Sequence, residues 1–139
     1  MPDMRKAVIS LVSEHDGNKV TQKLPAEVFV KGAFMYARYE EKAASPTGGM
    51  IRTLVKIGPD SIKLVRHGEV ESEQSFQLGK RLPGFYRSPY SSFNLSTDTK
   101  QMKIDLKDMT GHLSWTYDLY VFEDLTDQFT ISLHIQEEL

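Results

Sequence analysis

Apolar and polar residues alternate with a period of two along almost the whole of this 139-residue chain, and Gly, Pro, Asn and Asp interrupt the alternation at short intervals. That pattern describes strands with one buried and one wetted face. The longest apolar face runs Leu113, Trp115, Tyr117, Leu119, Val121, and the cleanest alternation sets Met102, Ile104 and Leu106 against Lys103, Asp105 and Lys107. No amphipathic helix is present to roof such a sheet. Only Lys31 to Lys42 carries helix-forming residues, and its aromatics Phe34, Tyr36 and Tyr39 keep no helical face. A sheet without a roof must cover its own apolar side.

The spacing predicts strands over residues 5–14, 20–31, 33–41, 50–57, 61–67 and 71–77, then 93–99 and 102–107 as a pair, then 113–121 and 129–135. Asp16-Gly17 suits a tight hairpin. Pro25 lacks an amide donor, which implies a bend, a bulge or an edge there. Lys42 to Gly49 reads as a flexible loop, and 78–90 as an irregular, loop-like stretch. Short turns favour a meander in which sequence neighbours pair. Closing a meander removes its exposed edges, so a barrel of about eight to ten strands is expected in preference to a Greek-key sandwich. The length fits one domain spanning 1–139.

Composition excludes whole classes of function. The chain contains no cysteine, so it has no disulfide, thiolate metal site or thiol nucleophile. With 17 basic and 19 acidic residues it lacks the field that gathers nucleic acid or anionic lipid. No apolar run approaches the ~18 residues of a spanning helix, and the N-terminal stretch is not a signal peptide, so a cytoplasmic protein without a membrane partner is expected. P-loop, GxGxxG, GxSxG and HExxH motifs are missing, and His15, His67, His112 and His134 are not spaced for one metal. No cofactor or metal is therefore expected. Asn94-Leu95-Ser96 matches a glycosylation sequon, which has no consequence without secretion.

Two features remain. Arg66 shares a strand face with Ile62 and Leu64, so closure would aim a guanidinium at the barrel mouth or lumen. A buried cation needs a carboxylate or an anionic ligand, and Glu40, Glu41 and Glu69 are the candidates. The plainer alternative is a structural ion pair. The second feature, Gly79 to Tyr90, crowds Lys80, Arg81 and Arg87 among Phe85, Tyr86 and Tyr90. Such a segment can cap a ligand, or its aromatics can simply plug one barrel end.

Several stretches together resemble the YwiB-like family of small bacterial proteins. They are Tyr39-Glu40-Glu41, Thr53 to Ile57 turning into Ile62, Leu64 to Glu69, Phe76 with Gly79, Tyr86 to Tyr90, and Gly111-His112-Leu113 leading to Tyr117-Asp118-Leu119. The resemblance implies a lipocalin-like (calycin-type) antiparallel barrel and transfers no activity. This chain departs at Ser91, where the family tends to carry glycine.

The leading functional expectation is a non-enzymatic protein binding a small amphipathic ligand at its mouth or lumen, through Arg66, Glu40, Glu69, Tyr86, Arg87 and Tyr90. The alternative is a module that docks protein or RNA by its outer face, an edge strand or the basic-aromatic segment. An enzyme acting through carboxylates and Arg66 is a third and less favoured reading.

Overall fold

The computed structural model describes residues 4–42 and 49–138. Ten strands follow one another: β1 (Arg5–His15), β2 (Asn18–Lys31), β3 (Phe34–Lys42), β4 (Met50–Ile57), β5 (Ser61–Gly68), β6 (Glu71–Gln77), β7 (Arg81–Arg87), β8 (Ser92–Lys107), β9 (Thr110–Val121) and β10 (Asp124–Glu137). Each pairs antiparallel with its sequence neighbours, and β10 pairs β1 from Ala7↔Glu137 to Glu14↔Thr130, so the sheet is a closed barrel. The described residues contain no helix. The loop expected over Lys42 to Gly49 lies mostly outside the described residues.

An up-and-down barrel sends alternate turns to opposite ends. Residues 16–17, 69–70, 88–91 and 122–123 mark one end, called here the Arg66 end. Residues 32–33, 58–60, 78–80 and 108–109 mark the other, the Gly32 end, together with the start of β1 and the end of β10.

Alternation sorts side chains as expected. Ile9, Val28, Val55, Ile62, Phe76, Leu113, Trp115, Leu133 and Ile135 are buried together inside. Phe76 lies against Trp115 and Tyr117 with ring centroids 5.3 Å and 4.7 Å apart, so the middle of the barrel is filled by side chains. Outside, Glu27–Arg38 (2.9 Å), Glu40–Arg52 (3.5 Å) and Lys63–Glu73 (2.6 Å) bridge adjacent strands. These exposed pairs fix register more than they stabilise.

The structure corrects two expectations. Residues 93–99 and 102–107 are not a pair of strands but parts of the single strand β8. The inward side chains change phase from Leu95, Thr97 and Thr99 to Met102, Ile104 and Leu106, and the register with β9 shifts between Thr99 and Gln101. Lys100 is the extra residue of a β-bulge. A phase change in alternation can thus signal a bulge as well as a turn.

Secondly, the stretch read as loop-like over 78–90 contains strand β7. Its Pro and Gly are accommodated because β6 pairs β7 only through Glu71–Glu73 and Phe85–Arg87. Pro83 falls where that ladder has ended, so its missing amide costs no β6 bond. There β8 takes over, with Thr97 Oγ1 donating to the Ser75 carbonyl (2.6 Å). A Cβ on Gly84 would collide with the Glu73 carbonyl oxygen, which explains the glycine beside the proline.

The edge anticipated at Pro25 is present. Among the described residues the β2–β3 ladder spans Ala26–Lys31 and Phe34–Tyr39, and residues 18–25 pair with β1 alone.

Candidate functional site

Arg66 is carried on the inward face of β5, opposite Thr53 of β4 and Ser72 of β6. Its Nε lies 3.9 Å from Glu41 Oε1, and Thr53 Oγ1 donates to the same oxygen at 3.4 Å. The Glu41 side chain is 14% exposed and that of Arg66 38%, so the pair straddles the boundary between lumen and solvent.

Two buried phenols face this pair. Burial pushes Tyr39 up to about 12, with the Arg66 charge opposing; Glu41 raises it further and a hydrogen bond with Thr53 lowers it. Burial likewise pushes Tyr117 up to about 12 against the pull of Arg66. Both phenols therefore stay protonated at neutral pH and cannot serve as bases. The cluster is a charge-neutral network of guanidinium, carboxylate, hydroxyl and phenols.

The sequence candidates do not all converge on it. Tyr86 shares the inward face with Ser72 and stacks on Phe93 at 5.1 Å. Glu40 faces outward to Arg52, because alternation puts it opposite to Glu41. Arg87 has its guanidinium carbon 4.8 Å from the Phe85 ring centre. Glu69 occupies the β5–β6 turn, its amide donating to the Met50 carbonyl at 3.3 Å. Tyr90 is exposed on the 88–91 turn, where Ser88 Oγ accepts from the amides of Tyr90 (3.3 Å) and Ser91 (3.2 Å). Sequence reasoning missed Tyr39, Thr53 and Tyr117. Their signal was the shared parity of Tyr39 with Glu41 and of Thr53 with Ile51 and Val55.

A concavity of about 930 Å³ opens at the Gly32 end. Phe34, Met35, Ile57, Ile104, Leu106 and Met109 form its apolar wall, and Arg5, Asp108 and Glu137 supply its charges. Arg5 Nη1 lies 3.2 Å from Glu137 Oε1. Closure of β1 onto β10 assembles this mouth from distant segments, so no local motif announces it.

Comparison with known proteins places the chain. A family model described as a domain of unknown function, DUF1934, matches residues 6–133. The chain belongs to the DUF1934 family. This DUF1934 protein is 27% identical over 118 residues to the uncharacterized β-barrel protein YwiB of Bacillus subtilis (strain 168), covering 84% of this chain and 81% of the relative. Its fold resembles the crystal structure of the ywiB protein from Bacillus subtilis with a TM-score of 0.79, 22% identity, and coverage of 99% and 94% of the two chains. That likeness agrees with the lipocalin-like barrel and the bacterial family expected from sequence. Among the described residues of this DUF1934 chain, no helix is long and apolar enough to cross a membrane.

His15 closes β1 at the Arg66 end, stacked on Phe129 (4.5 Å), with Nε2 2.6 Å from Asp127 Oδ1 and 3.5 Å from Asp16 Oδ2. The Asp127 carboxylate, through hydrogen bonding first and charge second, holds the imidazole above its ordinary 6.5; partial burial opposes this and Asp16 assists. A raised folded-state pKa means the stabilisation is fully present below the unfolded value and disappears as pH rises through the folded one. The difference in melting temperature between wild type and His15→Gln is therefore expected to be larger at about pH 6 than at about pH 9. Equal differences at both would show that the contact carries no proton-linked stability.

Proposed function

We propose that this DUF1934 protein is a non-enzymatic barrel that binds a small amphipathic ligand in the mouth at the Gly32 end. One observation carries the reading. The 930 Å³ concavity lies within the ~300–1,000 Å³ range of small-molecule sites and combines an apolar wall with a few charged groups. Buried Ile62, Phe76 and Leu113 fill the barrel below, which limits the ligand to the mouth. Its apolar body would rest on Phe34, Ile57, Ile104 and Leu106, with its polar end toward Arg5, Asp108 and Glu137.

The Arg66 end supports this reading less well, because Arg66 and Glu41 already neutralise one another. Titration with a dansylated C11 fatty acid tests the proposal, with the single Trp115 as internal reporter. Met109→Asp places a charge in the wall, and its backbone, at φ 65°, is one that aspartate tolerates. This variant is expected to weaken probe binding about tenfold, while Arg66→Ala changes it by less than about twofold. The opposite ranking would move the site to the Arg66 end, and no saturable binding by wild type would overturn the reading.

A second reading is favoured by the one-sided pairing of residues 18–25 among the described residues. That edge can accept a strand from a protein partner, with Lys19 and Lys23 discouraging indiscriminate pairing. Substituting Thr21→Pro would abolish such docking and leave probe binding unchanged.

A further inference from the structure

The β1–β2 hairpin tip and β10 together bring three potential ligands to one point, remote from the mouth. Asp16 sits in the tip with φ 52°, followed by Gly17 at φ 76°. Asp127 reaches it because the β9–β10 register shifts between Leu125 and Asp127, leaving Thr126 as the extra residue. One nitrogen from His15 and one oxygen from each aspartate lie within 4.8 Å of one another.

Two observations separate this cluster from an ordinary surface ion pair. His15 Nε2 is shielded from solvent, and Asp127 Oδ1 is its near neighbour at 2.6 Å. The separations approach what a shared ion requires: ligands about 2.1 Å from a tetrahedral metal stand roughly 3.4 Å apart, so the 3.5 Å between His15 Nε2 and Asp16 Oδ2 already suits one, and the 2.6 Å contact with Asp127 Oδ1 would open by about 0.8 Å to admit it.

We propose that His15, Asp16 and Asp127 form a binding site for a divalent transition-metal ion of the zinc class. An imidazole with two carboxylates selects such ions over calcium or magnesium, which prefer all-oxygen shells. Three protein ligands leave a coordination position to solvent. The ion would tie the tip of β1–β2 to β10, which makes the site a cross-strand clip.

Zinc titration against a chromophoric chelator, on the whole chain, provides the test. Wild type is expected to bind one ion per chain. His15→Ala and Asp127→Asn should each weaken binding by at least about tenfold, while His134→Ala, on an exposed position of β10, stays within about twofold. Far-UV circular dichroism confirms that the variants fold, and zinc should raise the melting temperature of wild type and not of His15→Ala. The proposal is overturned if wild type shows no saturable binding below about 1 mM, if His15→Ala binds as wild type does, or if calcium binds as tightly as zinc.

Discussion

Replacing Phe76 by alanine is expected to lower the stability of the barrel by about 3–5 kcal/mol, read as a fall in the urea midpoint at unchanged slope. Phe76 is fully buried, and its ring meets those of both Trp115 and Tyr117. It also occupies the level at which β7 has left β6, where Thr97 of β8 bridges back to the Ser75 carbonyl. Neighbouring strands are poorly placed to collapse into the vacated space there, which puts the loss toward the upper part of the range. Phe76→Leu, which keeps most of the volume, should cost markedly less. The emission of Trp115 should shift to the red in the alanine variant as water reaches its ring. A midpoint change equivalent to less than about 1 kcal/mol would show that the barrel interior is not the close-packed plug described above.

Alkali should unfold the protein over a defined interval. The phenols of Tyr39 and Tyr117 are raised by burial from 10.0 to about 12. Below about pH 10 both states keep these protons and the two groups add no pH dependence. Between about 10 and 12 the unfolded chain releases them and the folded chain does not, so stability falls as pH rises. Two units per phenol correspond to roughly 3 kcal/mol each, or about 5–6 kcal/mol for the pair. Spectrophotometric titration should show two tyrosines that ionise only with loss of structure, and Tyr117→Phe should flatten the decline by about half. Arg66→Ala should leave the start of the interval in place, extend its upper end and enlarge the loss, since its charge now favours both phenolates. Ionisation of all tyrosines at about pH 10 without unfolding would contradict the burial of the two rings.

Much of this architecture is legible from parity alone. The inward set of β9, Leu113, Trp115 and Tyr117, follows directly from the two-residue period, as does the inward face of Arg66 on β5. Closure is legible indirectly, from the lack of any element able to cover the sheet. Local irregularity is where the reading fails. Around Lys100 the alternation changes phase, and a turn and a bulge leave the same trace in sequence. In β7, Pro83 and Gly84 read as loop residues because the ladder that tolerates them depends on where β6 stops, which is a property of the neighbour. For the same reason the sequence paired Arg66 with an open choice of Glu40, Glu41 and Glu69. Only the β3–β4 register turns Glu41 inward and Glu40 toward Arg52. The mouth at the Gly32 end and the meeting of His15 with Asp127 depend on closure between distant segments, and no periodicity encodes such meetings.

The closing ladder between β1 and β10 has a consequence for the growing chain. Every other ladder joins strands made one after the other, so those hairpins can form as they leave the ribosome. Until residues 124–137 have emerged, however, β1 and β9 each present an unsatisfied edge and a stripe of uncovered apolar side chains. That interval is when a nascent copy is most exposed to its neighbours. Substitutions that slow the docking of β10 should therefore reduce soluble yield by more than their effect on the finished barrel would suggest.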